Sequence, residues 1–346
     1  MTGGMMGSDS DPYDITIIGA GPTGLFAAYY AGFRGLRTKL IDSQPDLGGQ
    51  VTALYPDKWI YDVAGFPKVL GKDLVQNLVA QATQYNPAIH LNESVQTLDR
   101  SDDGLIRLGT DLGEHLTRVV IITAGIGAFT PKTFKRPELD QWLGRGLSFA
   151  VRSKEEFRGK RLLVIGGGDS ALDWALGLVD YAKEITLIHR RDVFRAHEDS
   201  VRKLFASPIQ VKLFYELKSI EGTDDRVSSA VIYQNKTREE ERPNVDAVLA
   251  FLGLVSNLGP IREWGVQILE DSIVTNTKME TTLPGVYAAG DVVTFPGKLK
   301  LIVTGFGEAA TAVNNAVTYI NPSASAFPGH SSAIMEQKEK AAAKAH

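Results

Sequence analysis

Short apolar, β-branched runs punctuated by glycine clusters set the pattern of this chain. Residues Asp14–Ile18 form one such run, Gly19, Gly21 and Gly24 follow it closely, and the Ala-rich stretch Leu25–Ala31 then has helix-forming character. This order predicts a strand, a tight turn and a helix. A second run, Thr38–Ile41, predicts another strand that ends on Asp42, 23 residues beyond Gly19. The arrangement returns later in the chain. Arg161–Ile165 predicts a strand, Gly166, Gly168 and Ala171 mark the turn, a helix runs through Leu178, and the strand Ile185–Ile188 leads into His189, 23 residues beyond Gly166. One glycine cluster of this kind is weak evidence. Two, with the same flanking strands and the same offset, point to a repeated dinucleotide-binding unit.

The physics of the two turns is shared. Gly19 or Gly166 allows the sharp bend, Gly21 or Gly168 lets the backbone approach a pyrophosphate, and Gly24 or Ala171 lets the helix pack close to the strand. Free N–H groups at the helix N-terminus then face the phosphate charge. What differs is the end of the second strand. Asp42 suits ribose hydroxyls and would repel a 2′-phosphate, whereas His189, Arg190, Arg191 and Arg195 surround that position with guanidinium forks able to grip phosphate at two points. The first site is expected to hold a non-phosphorylated dinucleotide and the second NADPH.

Two nicotinamide sites would have no obvious electron path between them, while one flavin and one nicotinamide make a complete relay, so FAD is expected in the first. The segment Gly285–Asp291 supports this, because it predicts a strand ending in Gly290-Asp291 whose carboxylate can reach a ribityl hydroxyl. Next, Gly305–Ala316 predicts a glycine turn into a helix whose N-terminus can face the flavin pyrimidine oxygen.

Together with Gly48-Gly49-Gln50 and Thr123-Ala124-Gly125, these segments resemble the thioredoxin reductase superfamily of two-domain flavoproteins over nearly the whole chain. Thioredoxin reductases carry a Cys-x-x-Cys just before the second glycine turn. Here Ala150 and Ser153 stand at those places, and the chain has no cysteine at all. Disulfide reduction is therefore excluded, and what remains is similar to the thioredoxin-reductase-like ferredoxin–NADP⁺ reductases, a homodimeric FAD branch without the dithiol. The stretches Gly49–Lys58, Tyr61–Pro67, Lys298–Val303 and the tail with His330 and Ser332 carry this likeness. The resemblance implies that Tyr55 stacks on one face of the isoalloxazine, that His330 of a partner subunit covers the other, and that Ser332 lies near flavin N5. It also implies contacts to FAD from Thr23, Gln50, Val95 and Phe129.

The fold expected is α/β, with two Rossmann-like, three-layer dinucleotide-binding domains. The NADPH domain, 126–252, is inserted into a discontinuous FAD domain made of 11–125 and 253–330, with a disordered lead at 1–10 and a C-terminal tail at 331–346. Gly125, Gly127 and Gly253 at the two crossings can absorb a rotation of one domain against the other.

Composition narrows the partners. The 346 residues carry 37 Lys and Arg against 41 Asp and Glu, a formal charge of −4 that argues against nucleic acid. The longest apolar stretch, Val119–Phe129, is too short and glycine-broken to span a bilayer, so no membrane is expected and a cytoplasmic location is. The six histidines show no ligand spacing and no metal site is expected. An acidic ferredoxin would need a local basic patch, for which Lys58, Lys68, Lys72, Lys298 and Lys300 are candidates. The reaction expected is hydride transfer from NADPH to flavin N5, then single electrons to ferredoxin. The alternatives are reduction of flavodoxin, a quinone or free flavin, or a non-catalytic FAD/NADP(H)-binding redox sensor.

Overall fold

The computed structural model describes residues 11–125, 127, 130–223, 226–255, 257–326, 329–333 and 336. The first apolar run becomes strand β1 (Tyr13–Ile18) and the Ala-rich stretch becomes helix α1 (Pro22–Phe33), with Gly21 at its N-terminus. Then come β2 (Thr38–Ile41), α2 (Gln50–Leu54), α3 (Gly71–Ala82), β3 (Ala88–His90), β4 (Val95–Arg100), β5 (Ile106–Thr110) and β6 (Glu114–Ile122). β1 pairs in parallel with β2 on one side and β6 on the other, β2 pairs with β3, and β5 and β4 continue the sheet antiparallel from β6.

The chain then builds a second sheet from β7 (Leu147–Ser148), β8 (Arg161–Ile165), β9 (Glu184–His189) and β10 (Gln210–Leu213). Helix α4 (Asp169–Gly177) links β8 to β9, and α5 (Glu198–Phe205) links β9 to β10. A hairpin of β11 (Tyr215–Thr223) and β12 (Arg226–Gln234) precedes β13 (Ala247–Ala250), which enters the second sheet between β7 and β8. Strand β14 (Val286–Ala288) returns to the first sheet beside β6, and α6 (Ile302–Ile320) covers it. The strands around each glycine turn are buried on both faces and so read as continuous apolar runs.

Small residues decide how closely the layers approach. Ala27, Ala28 and Ala31 of α1 are buried in one core with Ala309, Ala312 and Ala316 of α6, so the two helix backbones come close. Where the chain crosses between the sheets, Thr130–Pro131 pairs antiparallel with Leu254–Val255. Beside that pair, Gly127 lies so near Asn257 that a Cβ there would meet its carbonyl oxygen at 2.0 Å.

One expectation needs correction. The last helix begins at Ile302, so Gly305 and Gly307 lie inside it and do not form the turn before it. Gly305 is required by packing: a Cβ there would meet Thr23 Oγ1 at 2.4 Å.

Candidate functional site

The N-terminal glycine turn opens into a long cleft. Gly19, Gly21, Thr23, Asp42, Gln50, Tyr55, Val95 and Asp291 all line it, drawn from five separate parts of the chain. Gly24 does not; it is buried beneath, where a Cβ would sit 1.8 Å from the Gly19 carbonyl oxygen. Its role is helix–strand packing. Gly21 has the opposite surroundings: nothing lies within 4 Å of a Cβ built on it. It leaves the α1 N-terminus open, with no side chain capping the helix N–H groups. That cradle fits a pyrophosphate.

At one end of the cleft the Asp42 carboxylate accepts N–H bonds from Ala20 and, at 2.8 Å, from Gln44. Burial raises its pKa above the usual carboxylate value, and those two amides work against the rise. The segment 90–95 braces this turn, with the Asp42 amide donating to the His90 carbonyl and the Glu93 amide to the Asp42 carbonyl. Glu93 in turn is anchored from three strands. Its carboxylate lies 3.0 Å from His90 Nδ1, 2.6 Å from His115 Nε2 and 2.6 Å from the Thr110 hydroxyl. Burial opposes its charge, but hydrogen bonds from His115 and Thr110 with the two nearby imidazoles prevail and lower its pKa. The ligand atoms of His90, Glu93 and His115 fall within 4.8 Å of one another. Lys39 Nζ closes this set, 2.6 Å from His115 Nδ1, where a metal-bound imidazole would normally donate to an acceptor. The trio is a hydrogen-bonded brace.

At the other end, Tyr55 packs against the cores on both sides of the interdomain gap. Burial first, then the Asp291 and Asp62 carboxylates, push its phenol up to about 12, so it stays neutral through the ordinary pH range. Asp291 follows β14 after a turn at Gly290, and Ile302 places the α6 N-terminus on the cleft wall.

The second glycine turn meets its own partners. A Cβ on Gly167 would strike the His189 ring, whose nearest atom is 2.2 Å away, and the Arg195 amide donates to the Gly167 carbonyl at 2.7 Å. His189 stacks on Phe194 with ring centroids 5.0 Å apart. Burial, followed by the charges of Arg190, Arg191 and Arg195, lowers the His189 pKa, so the site's cations are the three guanidinium groups. All three are exposed. Gly168, like Gly21, has open space beside it, and Ala171 packs under Gly166.

His330 and Ser332 are exposed and do not line the cleft of their own chain. Phe129 lies outside the described residues. Of the five lysines considered for a docking patch, three already have carboxylate partners: Lys58 with Asp173, Lys72 with Asp57, and the buried Lys298 with Glu308. Asn257, Leu258 and Trp264 were not anticipated as lining residues, yet they close the cleft near Val95. The Trp264 indole donates to the Gln96 carbonyl at 2.9 Å. A lone tryptophan after a proline turn carries no spacing signal that would reveal this.

The pyridine nucleotide-disulphide oxidoreductase family model matches residues 13–316. A ferredoxin–NADP reductase of Shouchella clausii is 53% identical over 329 residues, covering 95% of this chain and all of that protein. One from Thermus thermophilus is 52% identical over 328 residues, 93% of this chain and 97% of its own. Among solved structures, thioredoxin reductase from T. acidophilum aligns with a TM-score of 0.77 at 26% identity, over 91% of this chain and 99% of its own. That of Lactococcus lactis aligns with 0.76 at 27% identity, over 89% and 99%.

Proposed function

Because the chain belongs to the pyridine nucleotide-disulphide oxidoreductase family and, within it, to the ferredoxin–NADP reductases, we propose that it moves electrons between NADPH and ferredoxin through FAD. One observation carries this reading: two glycine turns, each between paired parallel strands, stand in a chain without a single cysteine, so no dithiol in it can relay electrons. FAD, when bound, supplies the change from a two-electron donor to one-electron transfers.

The chain's own residues bind and orient. The α1 N-terminus at Gly21 would hold the pyrophosphate, Asp42 the adenosine ribose, and Asp291 the ribityl chain. Tyr55, neutral and largely shielded from water, would give the isoalloxazine a flat apolar wall. Arg190, Arg191 and Arg195 would select the 2′-phosphate of NADPH, and Gly168 would admit its pyrophosphate.

We infer further that the enzyme works as a cytoplasmic homodimer, in which His330 and Ser332 of one subunit reach the flavin of the other. Their exposure outside their own cleft supports this arrangement, and among the described residues no helix is long and apolar enough to cross a membrane.

The experiment is anaerobic mixing of the FAD-loaded protein with NADPH, followed by ferredoxin and cytochrome c. Rapid bleaching of the flavin and ferredoxin-dependent cytochrome reduction are expected. Bleaching without any ferredoxin dependence would reassign the acceptor, and a protein that takes up no FAD would end the proposal.

A further inference from the structure

Lys298 and Glu308 form an ion pair almost wholly out of water. Their side chains are 5% and 9% exposed, and Lys298 Nζ lies 2.5 Å from Glu308 Oε1. The other carboxylate oxygen, Oε2, accepts the Gly290 N–H at 2.8 Å. Each oxygen thus has one charged or main-chain partner. Gly290 precedes Asp291 on the cleft wall, while Glu308 sits on α6, whose first residue, Ile302, lines the same end of the cleft.

Three segments converge at this point. Gly290 and Gly305 both press against Thr23 of the first glycine turn, where a Cβ on either would meet Thr23 Oγ1 at 2.8 or 2.4 Å. The loop between Asp291 and α6 is tied down by Lys298 and by Thr304, whose hydroxyl lies 2.8 Å from the Leu299 and Leu301 carbonyl oxygens. Burying two charges is costly, and packed apolar side chains of similar size usually serve stability as well or better. The neighbours of Glu308 on α6, Ala309, Ala312 and Val313, are of that apolar kind. The charged pair calls for another reason.

We propose that Glu308 is a positioning residue for the redox end of the cofactor, and that Lys298 is its charge-balancing partner. The Glu308 carboxylate fixes the Gly290-Asp291 turn so that Asp291 keeps its aim. Lys298 cancels the carboxylate's field at the flavin. The inference rests on the reading that the cleft holds FAD. The pair as a whole is neutral, so deleting one member leaves an uncompensated charge close to a group that gains negative charge on reduction.

The test uses Glu308→Gln, which keeps an acceptor for the Gly290 amide, Lys298→Met, and the double variant, with two readouts. In titrations of the apoprotein with FAD, Lys298→Met is expected to weaken binding about tenfold, because the Glu308 carboxylate left without its partner opposes an anionic dinucleotide. In dye-equilibrated redox titrations of the holoprotein, Glu308→Gln is expected to raise the flavin potential and Lys298→Met to lower it, with the double variant returning near the parent. A structural role alone would not give shifts of opposite sign. Shifts in the same direction, or unshifted potentials in FAD-loaded variants, overturn the proposal while leaving the assignment of FAD intact. If Glu308→Gln does not fold, a potential lowered in Lys298→Met and restored in the double variant supports the proposal, and a double variant that stays as low as Lys298→Met overturns it. A parent protein that binds no FAD overturns the functional reading itself.

Discussion

Lys58 Nζ lies 2.5 Å from Asp173 Oδ2, joining the loop after α2 to helix α4 of the second glycine-turn unit. The neighbouring Asp57 receives the Lys154 amide and the Lys72 ammonium, and Tyr55 fills the space between the two cores. The ion pair thus links the two glycine-turn units across the gap that Tyr55 fills. Both side chains are about one-third exposed, so the pair contributes at most about 1 kcal/mol, or roughly fivefold in a conformational equilibrium. Lys58→Ala and Asp173→Ala are each expected to change the rate of NADPH-driven flavin bleaching by up to about fivefold, in the same direction. The double variant should do no more than either single one. Stopped-flow absorbance checks this, and additive effects would show that the two residues act separately.

The two glycines of the first turn separate folding from binding. An alanine at position 24 collides with the Gly19 carbonyl and the Thr123 hydroxyl, 1.8 and 2.7 Å from its Cβ, and has nowhere to go. At position 21 the backbone has φ −69°, open to any residue, and the Cβ meets nothing within 4 Å. Gly24→Ala is therefore expected to destabilise the apoprotein by about 3 kcal/mol or more. Gly21→Ala should melt with the parent apoprotein yet bind FAD at least about tenfold more weakly, because the methyl group occupies pyrophosphate space. Thermal melts and FAD fluorescence titrations distinguish the two. Equal losses of apoprotein stability would contradict the cradle.

Arg190, Arg191 and Arg195 have no carboxylate partner among the described residues, although other arginines there do, such as Arg161 with Asp246 and Arg242 with Glu221. Guanidinium groups left unpaired beside a glycine turn are available to phosphate. Replacing Arg190 or Arg191 by Ala should weaken NADPH by about 1–3 kcal/mol per lost charge-assisted bond while leaving NADH almost unchanged. Calorimetry at fixed ionic strength reads this directly. An equal loss for both nucleotides would mean that the arginines act on the shared pyrophosphate.

The glycine turns and their flanking strands were legible in the sequence because their geometry is local. A turn, a close approach to backbone and a helix N-terminus are set within ten residues, so Gly19, Gly21 and Gly24 could be given different jobs from spacing alone. Gly305 was misread for the same reason. Two glycines one residue apart resemble a turn, and only the distant Thr23 explains why a helix keeps Gly305. Glu308 carried no signal of its own, and Lys298, ten residues earlier, read as one of five candidate docking lysines. Their meaning depends on a third group, the Gly290 amide, that the fold brings between them. The Glu93 brace is likewise assembled from β2, β3, β5 and β6, which no periodicity connects.

Stability in acid should depend on the edge where β8 begins. Asp246 Oδ2 accepts the Arg161 amide at 2.7 Å and its Nε at 3.0 Å, while Oδ1 accepts Nη2 at 2.7 Å. The Arg161 side-chain hydrogen bonds are the largest cause, and they outweigh burial in pulling the carboxyl down to about 2. A carboxyl whose folded pKa lies below its unfolded value of about 3.9 stabilises the fold above that value and loses the contribution as pH falls through the folded one. The Arg161 and Asp246 side chains are 33% and 38% exposed, so screening limits the effect to about 1 kcal/mol. Asp246→Asn is expected to lower the urea midpoint at neutral pH, with the gap constant above about pH 5 and closing as pH falls toward 2. A gap that persists unchanged to pH 2 would assign the loss to the shape of the hydrogen-bonded corner, since a charge effect must vanish once the carboxyl is protonated in both states.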